Sequence, residues 1–174
     1  LKYYSEHYRI QKYEPCSGYV QFMFIDLCPQ SFYGLYDWWG IPKKGLQAIL
    51  ESNAPVGVFA KHKDHLDSLY IVNDTDGALG ECELTWIITE TLNGELVEKG
   101  SVKAEVPADS RVMVKTFEKE YGKGKKWNLT LILSDNSGKC MAKNTYQDIC
   151  TLLSRVDGHP DRMSHEFGMR LYWA

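Results

Sequence analysis

Asp26 closes an almost continuously apolar run, Tyr19 to Ile25, and precedes Cys28-Pro29 and a loop dense in rings: Phe32, Tyr33, Tyr36, Trp38 and Trp39. A carboxylate at the C-terminal end of a buried strand can hold substrate hydroxyls or orient a catalytic neighbour. It can equally cap the loop that follows by accepting backbone N–H groups. Phe22 in the run and Trp38 in the loop offer flat rings that stack on pyranose faces, although such rings also fill β-sheet cores. Phe22, Asp26 and Trp38 are therefore the substrate-adjacent candidates.

Other reactive-looking groups lead less far. His62-Lys63-Asp64-His65 puts two histidines three apart beside an Asp, but aligning them on a metal needs a helix, and the segment reads as a turn between strands. Neither a metal nor a cofactor is expected. The triplets Asn73-Asp74-Thr75 and Asn128-Leu129-Thr130 match the N-glycosylation acceptor pattern, which has meaning only in a secreted eukaryotic protein. Cys16, Cys28, Cys82, Cys140 and Cys150 have no CxxC spacing, so they predict buried or reduced thiols rather than zinc ligands, with at most two disulfides. No His and Asp are spaced to activate a serine or cysteine nucleophile.

The elements around Asp26 have a clear order. Leu1 to Tyr13, with Tyr4, Tyr8 and the nearby Ile10 on a helical spacing, predicts the end of an amphipathic helix, stopped by Glu14-Pro15. Tyr19 to Ile25 reads as a strand buried on both faces, since a half-solvated strand alternates. Gly40 breaks the chain after the aromatic loop, and Pro42 stands where a helix over Lys43–Ser52 begins. Buried strand, loop and helix have the shape of the last β/α repeat of a barrel, whose loop faces the active site. A lone strand of this kind has no neighbour in its own sequence and leaves an apolar edge to be covered by something else.

These residues resemble the closing barrel strand of family 2 glycoside hydrolases, the group that holds β-mannosidases, β-galactosidases and β-glucuronidases. In the mannosidase-like members a Gly opens a strand with an aromatic residue four positions on and a terminal Asp. A Pro follows three residues later, then a distal Asp and a Gly ahead of a basic helix. Gly18, Phe22, Asp26, Pro29, Asp37, Gly40 and Lys43 fall on that pattern without a gap. The sequence departs from it at Phe22, where Trp is usual, and at Ile25, where Asn is common. The resemblance implies a retaining glycosidase as parent, acting on a β-linked oligosaccharide or polysaccharide. It also implies that the acid/base and nucleophile, roughly 5–5.5 Å apart, stand on earlier barrel strands in missing N-terminal barrel and sandwich domains. None of Glu14, Glu51, Glu81 or Glu83 ends a barrel-like strand, so this chain carries neither catalytic carboxylate.

Past Pro55 the pattern changes. Val56–Lys61, Ser68–Asn73, Glu81–Thr91, Val97–Val106, Arg111–Glu118, Asn128–Ser134 and Cys140–Tyr146 all read as strands separated by turn signals. About seven strands at ~8–12-residue spacing predict an immunoglobulin-like antiparallel β-sandwich with Trp86 as a core anchor. The fold class is thus mainly β: a sandwich preceded by the last β/α unit of a TIM barrel. Residues 1–53 form the barrel remnant and residues 54–174 the accessory domain. Lys119 to Lys126 reads as a solvated basic turn, 147–155 as a short helix and 166–173 as a last strand.

Composition limits the functions. The chain has 174 residues, 44% apolar and 25% charged, as a soluble globular protein does. A net charge of −3 and a pI near 6.0 give no reason to expect nucleic acid. No apolar run approaches the ~18 residues that span a bilayer, and no membrane partner is expected. Residues 1–15 lack a signal peptide's apolar core, which fixes no compartment; a periplasmic or secreted one is favoured over the cytoplasm. The alternative function is a stand-alone carbohydrate-binding or interaction sandwich without catalysis, but such a module has no use for residues 18–45.

Overall fold

Alternation of apolar and polar residues becomes two facing sheets in the computed structural model, which describes residues 1–29, 33–62, 65–119, 121 and 126–147. Two helices, α1 (Lys2–Arg9) and α2 (Lys44–Ser52), come first. Seven strands follow: β1 (Val56–His62), β2 (Leu66–Asn73), β3 (Gly80–Glu90), β4 (Leu96–Val106), β5 (Ser110–Thr116), β6 (Trp127–Asp135) and β7 (Cys140–Tyr146). They form a three-stranded sheet in the order β1-β2-β5 and a four-stranded sheet in the order β4-β3-β6-β7. Every pairing is antiparallel. The fold is mainly β, an antiparallel two-sheet sandwich, as the strand spacing predicts.

Its core lies between the sheets. β3 turns Cys82, Leu84, Trp86 and Ile88 inward, and β6 answers with Trp127, Leu129, Leu131 and Leu133. Val58, Leu69 and Ile71 close the core from the other sheet. Each such aliphatic side chain contributes roughly 1.5–3 kcal/mol on burial. Trp86 is the expected anchor: its indole lies across Gly100, its partner on β4, where an added Cβ would come within 2.3 Å of the ring. Its Nε1–H donates to Glu98 at 3.0 Å.

The outer face of the three-stranded sheet is covered too. Ile10 packs with Phe59 and Val72, and the Arg9 guanidinium lies 5.0 Å from the Phe59 ring. That cover explains why β2 is buried on both faces near its end. Its provider is the segment after α1, which ends sooner than the expected Tyr13. Beyond Arg9 the hydrogen bonds tighten to Gln11 N–H on Tyr8 O and Lys12 N–H on Arg9 O, and Tyr13 then turns the chain at φ 64°.

The run from Tyr19 to Ile25 corrects the buried-strand expectation. It forms no ladder; only an isolated bridge joins Ile25 to Tyr36. Val20, Phe22, Phe24 and Ile25 are exposed, and Met23 alone is buried. The physical reason is that no strand of the sandwich runs beside it, so its backbone has no partner to pair with. The helix that follows is present as α2, one residue later than expected. The expected turn over 119–126 falls largely outside the described residues, and the helix over 147–155 and strand over 166–173 lie almost wholly outside them.

Candidate functional site

Asp26 holds the aromatic loop together. Its side chain is fully buried; Oδ1 accepts the Gly34 N–H at 2.9 Å and Oδ2 pairs with the Lys43 ammonium. Gly34 is required there, because a Cβ would meet Asp26 Oδ1 at 2.4 Å. The loop is thereby tied to the run before it and to the start of α2. This is the loop-capping geometry, with both oxygens engaged by protein groups. Within the loop Asp37 Oδ1 accepts the N–H groups of Trp39 and Ile41 at 2.9 and 2.8 Å, which turns the chain and leaves both tryptophans outside.

Phe22 and Trp38 are exposed, at 73% and 49%. Phe22 has Tyr33 at 6.4 Å, and Phe24 has Tyr36 at 5.1 Å. Trp39 and Ile41 nearby are exposed as well, so the loop and the run offer apolar side chains for stacking or packing, with the Tyr33 and Tyr36 phenols as the polar groups among these rings.

A second constellation, not foreseen from the sequence, joins α1 to the sandwich. The buried residues of α1 are Ser5, Glu6 and Arg9, so it presents a polar face inward and leaves Tyr8 exposed. Tyr146 donates its hydroxyl to Glu6 Oε2 at 2.7 Å and accepts the Ala60 N–H at 2.9 Å. Asn144 donates to Glu6 Oε1 and to the Val58 carbonyl, each at 2.9 Å. Burial raises the Glu6 carboxyl, against the lowering by its bonds from Tyr146 and Asn144. His62, its ring 5.3 Å from those of both Tyr146 and Tyr3, is pushed down to about 4 by burial first and then by His7 and Lys2. The His62–His65 pair is thus split: His62 ends β1 packed among rings. Among the described residues no group of three His, Cys, Asp or Glu is placed to hold a metal.

Beside this joint lies a cleft of about 530 Å³ between α1, residues 13–21, the end of α2 and the turns that follow β2 and precede β5. Arg9 and Lys12 pair with Asp74 at 2.8 and 2.6 Å, and Lys12 also pairs with Asp109 at 2.5 Å. Tyr13 donates its hydroxyl to Asp109 at 2.7 Å. These bonds, from Lys12 first and then Tyr13, hold the Asp109 carboxyl below its usual range. None of Phe22, Asp26 or Trp38 lines the cleft. The sequence signal was slight: Asp74 and Asp109 stand in stretches that read only as turns. Asn73, an acceptor-pattern residue, is buried and donates to the carbonyls of Gly77 and Pro107, so it cannot carry a glycan in the folded chain. The four described cysteines, Cys16, Cys28, Cys82 and Cys140, are free thiols.

No protein-family model matches the sequence, and no curated protein does. Among solved structures the chain is similar to an exo-chitosanase of Amycolatopsis orientalis, with a TM-score of 0.73 and 19% identity over 84% of this chain and 17% of that one. It is similar to a β-D-mannosidase of Dictyoglomus thermophilum at 0.70 and 20% identity, over 86% of this chain and 18% of that one. The chain spans under a fifth of either enzyme's length. At these identities the likeness is one of fold.

Proposed function

We propose that the chain is the C-terminal, non-catalytic portion of a family 2 glycoside hydrolase that acts on β-linked glycosides. On this reading residues 1–53 are the last part of its barrel and residues 54–174 an accessory sandwich. Phe22, Asp26 and Trp38 lie in the apolar run and loop that border the sugar pocket, with Asp26 shaping the loop and the rings facing substrate. The acid/base and nucleophile belong to the N-terminal domains.

One observation carries the reading. Residues 56–174 make up roughly two thirds of the chain, so a fold match over 84% of it reaches into the segment before residue 56. That segment holds the apolar run left uncovered here, where a barrel would supply neighbouring strands. A stand-alone sugar-binding sandwich fits less well: among the described residues of β1–β7 and their turns, the exposed large apolar side chains are Leu92, Leu96, Val97 and Met113, none of them a ring.

The test compares this chain with a protein extended by the coding sequence upstream of Leu1, both assayed on aryl β-mannosides, β-glucosaminides, β-galactosides and β-glucuronides. Turnover by the extended protein and none by this chain is the expected result. Turnover by this chain after repurification, or an upstream sequence with no strand-terminal Glu pair, overturns the proposal.

A further inference from the structure

We infer that the cleft between α1, residues 13–21 and the β2–β3 and β4–β5 turns is a binding site for a neutral, hydroxyl-rich ligand of the sugar class, with the Tyr13 ring as its platform. This inference rests on the cleft's own chemistry and stands whether or not the chain derives from a glycosidase.

Charge decides the ligand class. The two cations of the cleft are already engaged by its two carboxylates: Arg9 pairs with Asp74, and Lys12 with both Asp74 and Asp109. An anion would meet carboxylates already in place, and a cation would meet ammonium and guanidinium groups. A neutral ligand displaces none of these pairs. Each of the four carboxylate oxygens accepts one bond from the protein and keeps a second lone pair. With the Asp74 and Asp109 side chains 41% and 56% exposed, those lone pairs are open to hydroxyl donors.

Rings supply the rest. Tyr8 and Tyr19 stack at 5.4 Å, and Tyr19 is held by its hydroxyl on Asn53. Tyr13 has the Lys12 ammonium 5.2 Å from its ring centroid and still keeps 58% of its surface open. Among the described residues only Tyr13 and Asp109 are non-glycine residues at positive φ, 64° and 44°, and they are hydrogen-bonded to one another. A bulky residue in the left-handed region persists only where its surroundings over-determine it. Here the Tyr13 N–H is fixed on the Cys16 carbonyl and its hydroxyl on Asp109. The result is a ring fixed in place before any ligand arrives, so little freedom is lost when one stacks on it.

The full chain, labelled with ¹⁵N, is titrated with cellotetraose as a neutral probe. The expected result is saturable shifts at Tyr13, Asp74 and Asp109 with a Kd on the order of 1 mM. Tyr13→Ala weakens binding about tenfold or more, Tyr13→Phe retains most of it because the ring stays, and Leu92→Ala, at an exposed position outside the cleft, leaves it unchanged. If Tyr13→Ala fails to fold, Tyr8→Ala replaces it with the same expected direction. An absence of shifts at concentrations roughly tenfold above that Kd overturns the inference. So do shifts confined to Trp38 and Trp39, full binding by Tyr13→Ala or its replacement, and tighter binding of a fully deacetylated chitotetraose or a tetragalacturonate.

Discussion

In β6, Leu129, Leu131 and Leu133 are fully buried, whereas between residues 20 and 27 Val20, Phe22, Phe24 and Leu27 stand 66–92% exposed. Both stretches are rich in large apolar side chains; they differ in what they need. An alternating strand needs one apolar surface, and the facing sheet supplies it. A continuous apolar run needs cover on both faces and a ladder on both edges, and the seven strands offer it neither. Among the described residues the sandwich covers its own core, while the apolar side chains of the run are left largely uncovered.

Mutation in the two regions sharpens this contrast most. Leu131→Ala is expected to cost about 2–5 kcal/mol in urea unfolding, and Phe24→Ala to change stability by less than about 0.5 kcal/mol. Equal losses would break the comparison.

The α1 joint stands between the two regions, covered like the sandwich but by polar groups, and it should make stability depend on pH. The His62 pKa is about 4 in the folded chain against an ordinary 6.5. The unfolded state therefore binds more protons between those values. This contribution is fully present above pH 6.5, is lost as the pH falls toward 4, and amounts to roughly 3 kcal/mol. His7, lowered by burial and by Lys61, acts in the same direction. Glu6 opposes them: its raised pKa makes the native state take up the proton first, so its part grows as the pH falls toward the ordinary carboxylate range. Unfolding of the wild type and His62→Gln at pH 7.5 and 5 isolates the histidine, and the variant should show the shallower loss.

Tyr146→Phe leaves the Ala60 N–H and one Glu6 oxygen without their hydroxyl partner, for an expected cost of about 1–3 kcal/mol. Hydrogen exchange should quicken in α1 before it does in β6. The smallest effect is expected at Phe22→Asp: stability within about 0.5 kcal/mol of the wild type, with weaker binding of an apolar dye. A large loss of stability there would show the run to be packed after all.

What the sequence reveals follows the same division. The strands were legible because period-2 alternation and turn residues are local signals, and Trp86 could be placed because it falls mid-strand among inward positions. The run misled because its pattern calls for cover on both faces, and among the described residues no strand pairs with it in a ladder. The α1 face was misread for a related reason. Tyr4, Tyr8 and Ile10 suggest an apolar stripe; Ile10 does turn inward, but Glu6 and Arg9 go with it, toward partners far along the chain, while Tyr8 stays exposed. Asp26 was legible as a carboxylate at a loop junction, but its engagement with Gly34 and Lys43 needed the folded loop. The strained Tyr13–Asp109 pair has no local signature at all.

The bond from Tyr146 to Glu6 also sets an order in time. It joins residues 140 apart, and its acceptor belongs to an eight-residue helix too short to persist alone in water. At about 5–20 residues per second, synthesis separates the two residues by roughly 7–28 s. Through that interval the Arg9 end of α1 can meet α2, β1 and β2, but Glu6 has neither Tyr146 nor Asn144 to bond it. Only when β7 has paired with β6 does the donor side exist. The Glu6 end of the joint is therefore completed only after the Arg9 end, once β7 is made.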